Sequence, residues 1–226
     1  MRREHLFHFY KILLELKSQK GTYDLLDRSD GSVSFPEQGV YFFFELDEYI
    51  EDSNQLRVVR VGTHAVSLAS KTTLWNRLAK HKGHTDKRGG NHRESVFRML
   101  VGDALLRFNN YPEAISKTWG TKLDNEHVRM LEKNIEDDVS YYIGKMPFLC
   151  LNVPDEKNGR AARHFIEKNA IALLSNFKKE RIHHHSNNWL GMRSSRPQVR
   201  ESGLWNVRNV GLNYDPHFLH LMKKYL

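Results

Sequence analysis

The sequence predicts an α+β protein: a small three-stranded antiparallel sheet flanked by helices, with an N-terminal helix and a C-terminal extension. Three observations point there. Two strand-like runs, Gly39–Glu45 and Leu56–Val61, are joined by a short acidic stretch, the pattern of a hairpin. A third run, Pro147–Val153, stands far downstream. The segments around them carry apolar residues at helical spacing. The chain divides into an N-terminal helical arm (1–35), a central core (36–177) and a basic extension (178–226) packed on that core.

In the arm, Leu6, Phe9, Tyr10, Leu13 and Leu14 fall on one side of a helix over 3–19, which packs on the core or on a second subunit. Gly21, Asp27, Asp30, Gly31 and Pro36 mark an irregular link. In the first strand Val40, Phe42 and Phe44 point one way and Tyr41 and Phe43 the other, so both faces are covered. The stretch Glu45–Gln55 reads as an exposed connection. A helix over 72–82 buries Leu74, Trp75 and Leu78; Ser70 or Thr72 can cap its start and Gly83 its end. Further helices are expected over 93–108 (Val96, Phe97, Leu100, Leu105), over 124–138, and from an Asn158 cap to about Asn176, where Ile166, Ala170, Leu173 and Leu174 form the apolar face. Pro216–Leu226 closes the chain with a short helix. In the tail, Trp189 and Trp205 read as anchors onto the core.

Among the 226 residues, 35 Lys and Arg face 27 Asp and Glu, a net charge of +8 that favours an acidic partner such as nucleic acid. No apolar run approaches the ~20 residues of a membrane span. The first residues lead into a helix pattern without a signal-peptide core, and the expected setting is the cytoplasm. The single cysteine, Cys150, excludes an internal disulfide and sits in an apolar strand as a small core residue. His183-His184-His185 lacks spaced partners for a structural zinc site.

The chemistry resides in residues that recur in a fixed order. Gly39-Val40-Tyr41 is followed by Arg60-Val61-Gly62, then by Arg77 and His81 one helical turn apart, then by Glu167 and Asn176. Together they supply a phenol, guanidinium groups, an imidazole and a carboxylate, the parts needed to hydrolyse a phosphodiester. This ordered set resembles the GIY-YIG nuclease superfamily, and the spacing of Arg77, His81, Glu167 and Asn176 is most similar to its restriction-endonuclease branch. Leu74–His81, Gly90-Asn-His-Arg93 and Ser202-Gly-Leu-Trp-Asn-Val207 also resemble bacterial members. The resemblance covers about residues 36–210. It departs from the pattern at Arg60, where the second signature element carries tyrosine. A literal Tyr142-Ile143-Gly144 occurs downstream, but a hairpin partner must follow Tyr41 closely, so Gly62 is the match.

The resemblance implies a three-stranded antiparallel sheet flanked by helices, and cleavage of DNA with a tyrosine, an arginine and a glutamate-bound divalent metal. On these positions Tyr41 helps take a proton from the attacking water; a free phenol titrates near ~10, so it needs a cation or a relay. Arg77 can hold the scissile phosphate, and His81 can orient Tyr41 or accept its proton. Arg60 either replaces the missing tyrosine as a cation facing phosphate or is a solvated strand residue. Glu167, the sole acidic residue in Arg160–Lys179, suits one Mg²⁺ (or Mn²⁺), which needs few protein ligands. Asn176 either bonds the phosphate or a metal-bound water, or ends its helix. The basic loop after the active-site helix, with Lys80, Lys82, Lys87, Arg88, His92 and Arg93, is expected along the DNA backbone. The expected activity is a metal-dependent endonuclease on double-stranded DNA, restriction-like or in phage defence, a homodimer if it cuts both strands. The alternatives are a catalytically weak nucleic-acid-binding module, suggested by Arg60, and a structure-selective repair or RNA nuclease.

Overall fold

The computed structural model of the chain describes residues 1–29, 35–64, 72–83, 89–155 and 159–226. Its centre is an antiparallel sheet in the order β1-β4-β2-β3, built from β1 (Asp24–Leu25), β2 (Gly39–Tyr49), β3 (Leu56–Thr63) and β4 (Pro147–Asn152). The sheet has four strands rather than three. The added strand is two residues long, too short for any alternation to show, and pairs Asp24 with Phe148 and Leu25 with Pro147.

β2 is the central strand of the signature. Tyr41 stands across from Gly62 of β3 on one side and from Cys150 of β4 on the other. Tyr142, Ile143 and Gly144, the misleading copy of the motif, form the last turn of α5 (Glu126–Gly144), a helix longer than the expected 124–138.

Both faces of β2 are covered, as its pattern requires. Val40, Phe42 and Phe44, with Val58, Val61, Leu149 and Leu151, lie in one core with α1 (Arg2–Lys20), α6 (Gly159–Leu174) and α8 (His217–Lys224). Tyr41, Phe43, Val59, Phe148 and Cys150 lie in the other, with α2 (Leu74–Lys82), α3 (Val96–Phe108) and α5. α1 spends Leu6, Phe9, Tyr10 and Leu13 on the first core; Leu14, expected there too, is 47% exposed beside Phe7 at 67%. Likewise Val96, at 49% exposed, leaves the buried face of α3.

The hairpin is longer than the alternation suggests. β2 runs to Tyr49 through an irregularity after Phe44, and the acidic stretch expected outside turns Glu48 inward. α2 is capped by Thr73, whose hydroxyl accepts the Asn76 N–H at 3.2 Å, rather than by Thr72; Ser70 and Asn158 lie outside the described residues. α4 (Glu113–Thr118) is an added short helix, polar but for Ala114 and Ile115. After α6 the chain forms a 3-10 turn (Leu190–Arg193) and α7 (Pro197–Ser202), then runs beside β3. There the Trp205 N–H donates to the Val59 carbonyl at 2.6 Å. Trp189 and Trp205 are buried as the anchors the sequence suggests. Among the described residues no helix is long and apolar enough to cross a membrane.

Candidate active site

The two signature glycines are dictated by close approach. A Cβ on Gly39 would lie 2.2 Å from the Leu151 carbonyl oxygen, so the central strand could not sit this close to β4. A Cβ on Gly62 would lie 2.1 Å from the Tyr41 phenol oxygen. Glycine at 62 therefore lets the phenol cross the neighbouring strand.

That oxygen lies 2.8 Å from Nε2 of His81, and Nδ1 of His81 lies 2.8 Å from the Ser95 hydroxyl. Ser95 is the N-cap of α3 and accepts the Arg98 N–H at 3.2 Å. Tyr41, His81 and Ser95 are all buried, walled by Phe43 and Phe97, whose rings meet His81 edge-on. Burial pushes the imidazole well below its ordinary range, and the neighbouring charges of Arg77, Arg60 and Arg98 push it the same way. His81 is therefore neutral at physiological pH.

Arg60 is 7% exposed and is not a solvated strand residue. It donates to the Trp205 carbonyl, its guanidinium lies 5.3 Å from the centre of the Phe97 ring, and its Nε has no hydrogen-bond partner among the described residues. Arg77 is half-buried one turn before His81 and donates to the Glu94 carbonyl at 3.3 Å.

Glu167, on α6, lies within electrostatic reach of Arg60 and Arg77. Burial raises its carboxyl above the usual range, against the pull of Arg60, His164, Arg77 and the Thr63 N–H. Thr63 directly follows Gly62. The one ionic neighbour of Glu167 within 4 Å among the described residues is His164, at 4.0 Å, and no Lys or Arg pairs with it. A desolvated carboxylate left without a close cation fits a divalent ion. No three His, Cys, Asp or Glu side chains gather among the described residues, so an ion here would rest on Glu167, waters and substrate oxygens, a set that suits Mg²⁺.

Asn176 does not join this cluster. Its oxygen accepts from Arg2 at 3.1 Å and from the Ile182 N–H at 3.0 Å, and its amide donates to the Ile182 carbonyl at 3.0 Å. Asn176 stands two residues past the end of α6 and ties the start of the extension to Ile182 and to Arg2 of α1. The asparagine that does touch the signature is Asn206, which brackets Val61 by accepting its N–H at 3.1 Å and donating to its carbonyl at 3.0 Å. Its signal was present in the Ser202–Val207 stretch. Ser95 gave no such signal, because the helix expected from 93 begins only at Val96 and leaves Ser95 as its cap.

The basic loop divides differently from expectation. Lys82 is buried and donates to the Ser29 carbonyl. Arg93 is held by both oxygens of Glu132, at 2.7 and 3.2 Å, and His92 lies 2.9 Å from Glu136 and stacks on Trp119. Arg98 also grips Glu136 and donates to the carbonyls of His81 and Lys82, at 3.0 and 3.2 Å, clamping the end of α2. Burial pushes the Glu136 carboxyl up, yet His92 and Arg98 outweigh it and hold it below the usual range. Arg98 and Lys82 thus fix α2, Arg93 and His92 are tied to the carboxylates of α5, and these side chains are not free for a phosphate backbone. Lys80 is exposed, 3.4 Å from Glu94, while Lys87 and Arg88 lie outside the described residues.

A phenol crossing a glycine of the paired strand and an imidazole behind it thus meet at one end of the β2–β3 hairpin, and the arginines that act on the imidazole, Arg60 and Arg77, also act on the carboxylate of a distant helix. A family model described as the GIY-YIG domain matches residues 1–226. No curated protein and no solved structure matches the chain. The protein belongs to the GIY-YIG nuclease superfamily, and its domain is of nuclease type, acting on nucleic acid.

Proposed function

We propose that this protein is a Mg²⁺- or Mn²⁺-dependent endonuclease that hydrolyses phosphodiesters of double-stranded DNA, restriction-like or in phage defence, in the cytoplasm. The observation that supports this reading is the joint electrostatic reach of Arg60 and Arg77 to both His81 and Glu167, with Tyr41 hydrogen-bonded to His81. Tyr41 takes a proton from the water whose oxygen attacks phosphorus as its own hydroxyl proton passes to a phosphoryl oxygen. The new P–O bond forms as the bond to the 3′-oxygen breaks, and that oxygen leaves with the bonding pair. Arg77 and Arg60 carry the charge that builds on the phosphoryl oxygens, a contribution of roughly 10²–10³ in rate for a single well-placed donor. A divalent ion on Glu167 would supply the positive charge that the leaving oxygen needs.

Backbone contacts fall to exposed cations: Lys80 beside the site, and Lys178, Arg181, Arg193 and Arg196 on the extension. Cutting both strands of a symmetric site calls for two such centres, hence a homodimer. The exposed Phe7 and Leu14 of α1 offer apolar surface for it.

The test is cleavage of plasmid and phage DNA with Mg²⁺ and with EDTA. Discrete fragments with Mg²⁺ and none with EDTA support the reading. DNA binding without cutting would leave the weak binding module, and cutting confined to branched DNA or RNA would leave the repair or RNA nuclease.

A further inference from the structure

The chain of three buried side chains behind the site has a direction that its hydrogen-bond inventory decides. Tyr41, His81 and Ser95 share two contacts, each 2.8 Å long, and the neutral imidazole between them carries one N–H. That proton sits on Nε2 or on Nδ1, and the choice sets what Tyr41 can do.

Ser95 settles it. Among the described residues the Ser95 hydroxyl meets two side-chain or backbone partners, the Arg98 N–H and His81 Nδ1. The Arg98 N–H can only donate. If Nδ1 also carried a hydrogen, the serine oxygen would accept twice and its own O–H would point at nothing, in a residue with no exposed surface. With the hydrogen on Nε2, the serine accepts from Arg98 and donates to Nδ1, and each group is satisfied. The start of α3, where the first N–H groups are unpaired and the helix end is positive, also favours a lone pair at Nδ1 over a hydrogen. The proton left over then belongs to the Tyr41 hydroxyl, at the end of the chain where substrate water and phosphate oxygens come.

We infer that Ser95 is a positioning residue that fixes His81 as the Nε2–H tautomer, so that His81 donates a hydrogen bond to Tyr41 and does not accept its proton. Tyr41 then works as a relay: its oxygen, steadied by the imidazole N–H, takes the proton of the attacking water as its own hydroxyl proton passes to a phosphoryl oxygen of the substrate, and no proton passes on to His81. The charged groups facing the imidazole are Arg60 from β3, Arg77 from α2 and Arg98 from α3, all cations that disfavour a second proton on the ring. The catalytic part of this inference rests on the nuclease reading above; the tautomer itself does not.

The experiment has an arm for each. Nitrogen-15 histidine-labelled protein, read by long-range proton–nitrogen correlation, reports the His81 tautomer without any activity, the His81 signals being assigned by loss in His81→Gln. The expected result is Nε2–H, and Nδ1–H in the wild type overturns the inference. Ser95→Asp keeps a helix cap but presents only acceptors to Nδ1. It is expected to move the hydrogen to Nδ1 and to lower DNA-cleavage kcat by roughly ten- to a hundredfold, with KM little changed. Ser95→Thr, which keeps the hydroxyl, is expected to retain both tautomer and kcat. If Ser95→Asp folds and neither tautomer nor kcat moves, Ser95 is not the determinant and the inference falls. Wild-type protein that shows Nε2–H yet never cuts nucleic acid overturns the nuclease reading and leaves the hold of Ser95 on His81 standing.

Discussion

The two ends of the β2–β3 hairpin bury the same kinds of side chain and treat them in opposite ways. At the far end, Glu45 accepts from Tyr142, from Trp189 at 2.9 Å and from Trp205 at 3.3 Å. Beside it Glu48 receives Arg57 at 2.7 Å and the Ser186 N–H at 3.1 Å, and Arg57 also donates to the Gly203 carbonyl. These charges are occupied by the fold. At the near end, the Arg60 Nε is unpartnered and Glu167 has no Lys or Arg ion pair among the described residues. A buried charge left short of partners costs stability, and its persistence beside a glycine cleared for a phenol sets this end of the hairpin apart from the other.

The sharpest way to break this contrast is at Tyr41. Tyr41→Phe removes one oxygen from a packed ring, and DNA cleavage should fall by roughly 10²–10⁴ while circular dichroism is unchanged. The far end should behave the other way round. Arg57→Met leaves Glu48 buried and unpaired, so chemical denaturation should show a loss of about 3–5 kcal/mol, with the folded fraction still cutting at the wild-type rate. Arg60→Met tests the same exchange where the charge is already under-satisfied: cleavage should drop by roughly tenfold or more, yet stability should stay within about 1 kcal/mol or rise.

A smaller effect follows from acid. Burial and the nearby Arg163 push His64, at the near end of β3, down to about 4 from its ordinary 6.5. Between those values the unfolded imidazole takes up a proton that the native one refuses, so stability should fall as the pH drops through that window. The buried neutral His81 adds to the loss with the same sign. Denaturation midpoints measured from pH 7 to pH 4 should decline, and the decline should be shallower in His64→Gln. Smallest is Thr73→Ala, which uncaps α2 and should cost about 1 kcal/mol at the same midpoint assay.

What could be read from the sequence follows from how local each signal is. The two-faced pattern of Val40–Phe44 and the short span to Gly62 placed Tyr41 on a covered central strand and that glycine on its hairpin partner, because strand periodicity and hairpin proximity act over few residues. The apolar stripe of α6 likewise set Glu167 at the border of a buried face. The partners of the basic loop were not legible. Whether Arg93 meets Glu132 or a phosphate depends on how α3 and α5 dock, and a run of cations looks the same in either case. Asn176 and Asn206 differ for a similar reason: both are asparagines near an element end, and only the return of the chain along β3 decides which one reaches the signature. Ser95 was not legible at all: the helix was expected to begin at 93, before it, and its contact with His81 joins two helices rather than two turns of one.

The central claim is that Tyr41 and Glu167, far apart in the chain, act on one phosphate. A double-mutant cycle in single-turnover DNA cleavage tests it most directly, with Tyr41→Phe, Glu167→Ala and the pair compared at saturating Mg²⁺. If the two residues serve one centre, the pair should be no worse than the weaker single variant to within about tenfold. Losses that simply multiply, or a Glu167→Ala protein that cuts as well as the wild type, would contradict the account.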